Sequence, residues 1–191
     1  MLKKKPIVFL DTETTGLDEN YHEIISVCII SNDTGQIWTY KAKPDHPTHI
    51  DPTAILINGY NKTDWIDAMS QSQLACILGQ LLQGKIIVGH NPKFDISFVK
   101  NLLWKNQINT WIDFRGIDTT TLAFVHLAPY GLNKLSLDSI RKFLGWKVHL
   151  HHEAMQDTID CKNLYLLLTN PWKRTLLKCK LAIRNLNPWK K

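Results

Sequence analysis

Six residues near the N-terminus, Asp11-Thr12-Glu13-Thr14-Thr15-Gly16, gather side chains that could do chemistry. They follow the apolar run Ile7-Val8-Phe9-Leu10, which lacks polar alternation and so reads as a strand covered on both faces. Side chains two apart on a strand point the same way, so Asp11 and Glu13 project into one small volume. Two carboxylates that close repel unless a cation lies between them, and hard divalent ions such as Mg²⁺ or Mn²⁺ prefer oxygen ligands. Thr14, Thr15 and Gly16 add hydroxyls, backbone donors and a point where a ligand can approach the main chain.

Two later stretches can complete such a site. His90-Asn91-Pro92-Lys93-Phe94-Asp95 follows a short buried-strand pattern, Lys85 to Gly89, and opens a helix with Pro92 in its first turn, where proline is tolerated. Asp95 then lies beyond the C-terminal end of a strand, where α/β sheets bind ligands. His90 reads either as a structural hydrogen-bonder beneath the site or as a substrate contact. His152 and Asp157 would stand roughly 140° apart on one helix, at about 100° per residue, and would not share a face. His152 is therefore expected in the loop before a helix and Asp157 within it, so that the histidine can swing in when substrate binds. Four carboxylates, Asp11, Glu13, Asp95 and Asp157, suffice for two divalent ions about 3.5–4 Å apart, which clamp the attacking and leaving oxygens of a phosphodiester. A histidine suits removal of the water proton because its pKa lies near the working pH. Of the neighbours His151 and His152, His152 has the H-x-x-x-x-D spacing.

The elements that must position these residues follow from the hydrophobic pattern. Glu23 to Ser31 and Gln36 to Ala42, joined by the turn Asn32-Asp33-Thr34-Gly35, read as a hairpin, giving three antiparallel strands at the front of the chain. Residues 44 to 64 read as a loop with a brief helix at Ala54 to Ile57. Met69 to Gln83 has helical spacing and a stop at Gly84. Helices are also expected over Asp118 to Ala128, Lys134 to Leu144, Ala154 to Leu168 and, after a break at Pro171, residues 172 to 187. Trp38, Trp104 and Trp146 are assigned to the core, whereas Trp172 and Trp189, among basic residues, could stack on bases or pack. Asp160, one turn beyond Asp157, reads as a solvated or capping residue.

Composition bounds the rest. At 191 residues the chain is one domain, or one domain with a short tail. It has no apolar run of about 18 residues, and Met1 to Pro6 leads straight into a strand, so the expectation is a soluble, unsecreted, cytoplasmic protein with no membrane contact. The four scattered cysteines read as reduced thiols. The net charge of +6 is unevenly spread: all 17 acidic residues lie at or before Asp160, and Cys161 onward is basic without an acid. That basic, Trp-bearing segment suits nucleic acid, or a solvated helix packed on the body.

The stretches DTETTG, HNPKFD and HEAMQD, in this order and at this spacing, resemble the three motifs of DEDDh-type 3′-to-5′ exonucleases, the DnaQ-like group that includes polymerase proofreading subunits. The resemblance covers residues 6 to 168. It implies an α/β, ribonuclease-H-like fold, a mixed five-stranded sheet flanked by helices, with residues 1–170 as the exonuclease domain and 171–191 as a basic, helical C-terminal tail. It also implies Mg²⁺ or Mn²⁺, two ions, held by Asp11, Glu13, Asp95 and Asp157, with His152 as general base. Thr12 and Thr14 would hold the terminal nucleotide, and Leu17 and Phe94 would pack on its base and sugar. Ile57-Asn58-Gly59 aligns with a loop where proofreading subunits have a histidine reaching the 3′ end, so Asn58 stands in that place. The implied partners are single-stranded DNA or RNA 3′ ends, DNA favoured, the nucleoside monophosphate product, and a polymerase docked by the tail or a second copy of the chain.

Overall fold

The computed structural model describes residues 5–113, 115–149 and 153–186. Strands β1 (Ile7–Thr14), β2 (Ile24–Ser31) and β3 (Ile37–Lys41) form an antiparallel meander. β4 (Ile86–Gly89) then returns on the other side of β1, parallel to it, and β5 (Ile117–Asp118) adds parallel to β4, giving a five-stranded mixed sheet of order β3-β2-β1-β4-β5. β1 is thus central and paired on both edges.

Both faces of the sheet are covered, which is why Ile7 to Leu10 is apolar throughout. Val8 and Leu10 pack with Leu74 and Leu78 of helix α2 (Gln71–Leu82) and with Phe98 and Leu102 of α3 (Pro92–Lys105). Phe9 faces the opposite way, with Cys28, Ile30 and Ala154 and Cys161 of α6 (Ala154–Thr169). Each such fully buried large apolar side chain contributes on the order of 1.5–3 kcal/mol. Helix α1 (Pro52–Asn58) lies in the largely exposed segment between β3 and α2. A second cluster joins α4 (Thr119–Leu127), α5 (Leu137–Leu144), α6 and α7 (Pro171–Leu186) through Ala123, Ile140, Leu164, Leu168 and Leu181.

β1 runs through the acidic motif to Thr14, as the i, i+2 reading of Asp11 and Glu13 requires. Other expectations shift. β5 occupies Ile117–Asp118, so Asp118, expected to begin a helix, instead ends a strand and caps α4; two residues carry no period, and pairing with Val88 and Gly89 decides their conformation. α5 begins at Leu137 rather than Lys134 because Ser136 caps it, accepting from the Ser139 amide. The expected break is present: α6 ends at Thr169, and Pro171 opens α7, where its missing N–H costs nothing and the Asn170 side chain accepts from the Lys173 amide. Trp104, assigned to the core, is 78% exposed. The cysteines at 28, 76, 161 and 179 are free thiols. Among the described residues no helix is long and apolar enough to cross a membrane.

Helix α7 is apolar on two sides. Leu177 and Leu181 turn into the second cluster, whereas Trp172, Leu176, Cys179 and Ile183, at helical spacing, form an outward stripe.

Candidate active site

β1 places its two carboxylates on the side of α6, because Phe9, Asp11 and Glu13 alternate with Val8, Leu10 and Thr12 along the strand. The pairing with β2 slips between Glu13 and Thr14, an irregularity at the end of the acidic pair. Asp157 comes from the first turn of α6, its amide bonded back to the Glu153 carbonyl at 3.0 Å. The carboxylate oxygens that Asp11, Glu13 and Asp157 can offer lie within 4.8 Å of one another.

Asp95 stands beside this group. Asn91, in the left-handed region at φ 66°, turns the chain sharply from β4 into α3, and Asp95 follows in the first turn. Its Oδ1 accepts from the Thr12 amide at 2.9 Å and from the Thr12 hydroxyl at 2.8 Å. Burial pushes the Asp95 carboxyl up to about 7, against the opposing pull of those Thr12 bonds. Asp11 is raised well above the usual carboxylate range, first by burial and then by the charges of Asp95, Glu13 and Asp157; Arg141 partly offsets them. Oxygen donors alone, converging where a carboxylate resists ionising, fit a hard divalent cation, held by Asp11, Glu13 and Asp157 with Asp95 adjacent.

A cleft of about 320 Å³ opens next to Glu13, with Leu17, Ile57 and Phe94 as apolar walls and Thr14 and Asn58 at its edge. Leu17 is 81% exposed and free to meet a ligand. Asn58, the last residue of α1, uses its amide to tie that helix to β1: Nδ2 donates to the Thr14 carbonyl at 3.0 Å, and Oδ1 accepts from the Tyr60 amide.

Three of the expected contact residues also make hydrogen bonds within the protein. Thr12 lines the cleft and directs both its backbone and hydroxyl donors to Asp95, so it positions that carboxylate. The Thr14 hydroxyl donates to the Gly16 carbonyl at 2.6 Å and shapes the turn. His90 lies beneath the site: Nε2 donates to the Leu135 carbonyl at 2.7 Å, and Nδ1 is left to face the Thr119 hydroxyl at 3.0 Å. Burial lowers its pKa and so favours the neutral ring, which links these elements. Gly16 serves the fold as well, since a Cβ there would meet the His22 ring at 2.4 Å. His152 falls outside the described residues.

Sequence reasoning missed Arg141. This residue of α5 is 1% exposed and pairs with Asp138, Asp157 and Asp160. Asp160 is accordingly buried in an ion pair, neither solvated nor a cap. A signal existed: positions 137, 140, 141 and 144 form the apolar face of a helix, and an arginine stands on it.

A family model described as exonuclease, RNase_T, matches residues 8–165. The chain belongs to this exonuclease family. Ribonuclease T of Buchnera aphidicola subsp. Acyrthosiphon pisum (strain APS) is 28% identical over 188 residues, covering 87% of the exonuclease described here and 83% of that relative. A DNA polymerase III PolC-type of Thermotoga maritima is 31% identical over 179 residues, covering 87% of the exonuclease but 12% of the polymerase. Among solved structures, E. coli exonuclease I in complex with a dT13 oligonucleotide superposes with a TM-score of 0.73 at 21% identity, over 87% of the exonuclease and 41% of that chain. At that identity the likeness is one of fold, the α/β ribonuclease-H-like arrangement. The exonuclease is a DEDDh-type, DnaQ-like hydrolase acting on nucleic acid.

Proposed function

We propose that the exonuclease removes nucleoside 5′-monophosphates one at a time from the 3′ end of single-stranded nucleic acid, DNA in preference to RNA, with two Mg²⁺ or Mn²⁺ ions. The observation that carries this reading is the convergence of Asp11, Glu13 and Asp157, of which Glu13 also lines a cleft walled by Leu17, Ile57 and Phe94. The cleft lies at the small end of ligand pockets, which hold on the order of 300–1,000 Å³, and so suits one nucleotide rather than a duplex. Asp11, Glu13, Asp95 and Asp157 would hold the cations; divalent ions, when bound, lower the pKa of water and stabilise the oxygens of an in-line displacement. Leu17 and Phe94 pack on base and sugar, Asn58 borders the 3′ end, and His152 takes the proton of the attacking water. The oligonucleotide bound by exonuclease I supports the preference for single-stranded DNA. In this reading residues 1–170 are the catalytic unit, working in the cytoplasm.

The test is degradation of 3′-labelled and 5′-labelled single-stranded DNA and RNA of matched sequence, with Mg²⁺, Mn²⁺ or EDTA. Metal-dependent shortening from the 3′ end is expected, faster on DNA, with kcat reduced roughly 10²–10⁴-fold by His152→Ala. Failure to cleave either polymer with any metal would overturn the proposal.

The outward stripe of α7 favours a second role for the tail, docking a polymerase or another partner. Trp172 is 86% exposed, Leu176 60% and Ile183 62%, while Leu177 and Leu181 hold the helix to the body. Deleting the tail would therefore expose the second cluster, so the cleaner variant is Trp172→Ala with Leu176→Ala and Ile183→Ala. If the stripe docks a protein, hydrolysis of short oligonucleotides stays at the wild-type rate; if it grips the substrate, KM rises and its salt dependence flattens.

A further inference from the structure

Arg141 takes no part in the chemistry proposed above, yet it touches one of the residues that would perform it. Its side chain is almost wholly buried, and its guanidinium reaches carboxylates on two helices. Nη1 donates to Asp138 Oδ1 at 2.9 Å, one turn back on α5. Nε donates to Asp160 Oδ2 at 2.9 Å, across on α6. With those two arms held, the rigid planar fork aims Nη2 at Asp157 Oδ1, 2.6 Å away.

Asp157 needs such a hold. Asp11 and Glu13 share one strand, so their separation is set by the backbone, but Asp157 comes from a helix packed over that strand. Three like charges brought within 4.8 Å push one another apart, and the side chain able to rotate away is the one on the separate element. A neutral neighbour could not oppose that force. A lysine could, but as a single point charge on a flexible stem it could not be fixed by Asp138 and Asp160 at the same time.

We propose that Arg141 is a positioning residue of the exonuclease: it clamps Asp157 through Oδ1 so that this carboxylate meets Asp11 and Glu13 where a divalent cation can bridge them. The inference rests on the reading of the three carboxylates as a metal site. Groups that orient metal ligands without touching the metal typically change affinity or activity by about 10–100-fold when removed. Arg141 does not line the nucleotide cleft, so its effect falls on metal binding and turnover, not on KM for the oligonucleotide.

The experiment is Mn²⁺ titration by calorimetry on the metal-free protein, beside steady-state kinetics at saturating and limiting metal. For Arg141→Met, Kd for Mn²⁺ is expected to weaken by about 10–100-fold, kcat to fall at limiting Mn²⁺, and KM for a short oligonucleotide to change little. Arg141→Lys should recover part of the affinity. Should Arg141→Met fail to fold, the pair Arg141→Met with Asp160→Asn removes the buried charge together with a counter-charge and carries the same expectation. Variants that melt earlier yet bind Mn²⁺ as tightly as wild type would make Arg141 a structural strut and overturn the proposal. A wild-type protein that binds no Mn²⁺ would instead overturn the metal-site reading on which it rests.

Discussion

Asp11→Asn is expected to lower kcat by roughly 10³-fold or more and, in the same protein, to raise the melting temperature measured in EDTA. The first effect follows from position. Asp11 lies in one cluster with Glu13 and Asp157, and in the proposed metal site removing its charge would take away a primary ligand, a larger loss than the roughly 10–100-fold typical of groups one step removed from a metal. The second follows from electrostatics. Burial and the charges of Asp95, Glu13 and Asp157 raise the Asp11 pKa, so its ionised form is disfavoured in the folded protein. An amide of the same shape relieves that repulsion, and in a chain of this size each kcal/mol relieved is worth roughly 2–4 °C. Activity on labelled single-stranded DNA and thermal melts in EDTA check both halves. Substantial residual turnover, or a lower Tm without metal, would show that Asp11 supports the fold rather than the reaction.

The second large effect couples pH, metal and stability. The folded-state pKa of Asp95 is about 7, above its ordinary value near 4. A raised folded pKa contributes stability that is fully present below the unfolded value and is lost as pH rises through the folded one. For this buried carboxyl the loss amounts to at most roughly 4 kcal/mol between pH 4 and 8, or about 10 °C in Tm. On the proposed metal site, divalent cations would reverse it, because they would bind the ionised carboxylates and only in the folded chain. Added Mn²⁺ should therefore raise Tm strongly at pH 8 and weakly at pH 5, as read by melts with and without EDTA at each pH. Equal shifts at the two pH values, or none, would contradict this linkage.

The site was legible in the chain wherever one element carries its own pattern. The i, i+2 spacing of Asp11 and Glu13 needs only a strand, and Asp95 needs only a strand-to-turn-to-helix passage, so both could be placed from local periodicity. What could not be read are partnerships between elements. Nothing local to Thr12 says that Asp95 will arrive 83 residues later to take both its donors. Nothing local to Gly16 says that the His22 ring will fill the space a side chain would need there. β5 exists only because β4 is there to pair with it. Arg141 is an intermediate case: its place on the apolar face of α5 advertised a buried charge, but its partners belong to another helix. Trp104 failed as a core residue because size and hydrophobicity do not determine which face of α3 meets the sheet.

Asp11 and Glu13 hang from the central strand, which pairs with the equally long β2 along Val8–Thr14 and with the shorter β4 at Ile7–Phe9, and which helices cover on both faces. The amides of its doubly paired, buried half exchange with solvent only when the sheet itself comes apart, which ties the carboxylates to the most protected part of the domain. The mostly exposed segment 51–66, which carries Ile57 and Asn58, is held to the sheet mainly by Tyr60 and Trp65 and by the Asn58 bond to Thr14. In the proposed reading, bond cleavage is thereby anchored to the sheet, and part of the grip on the nucleotide to a segment with few buried contacts, whose local opening would cost less.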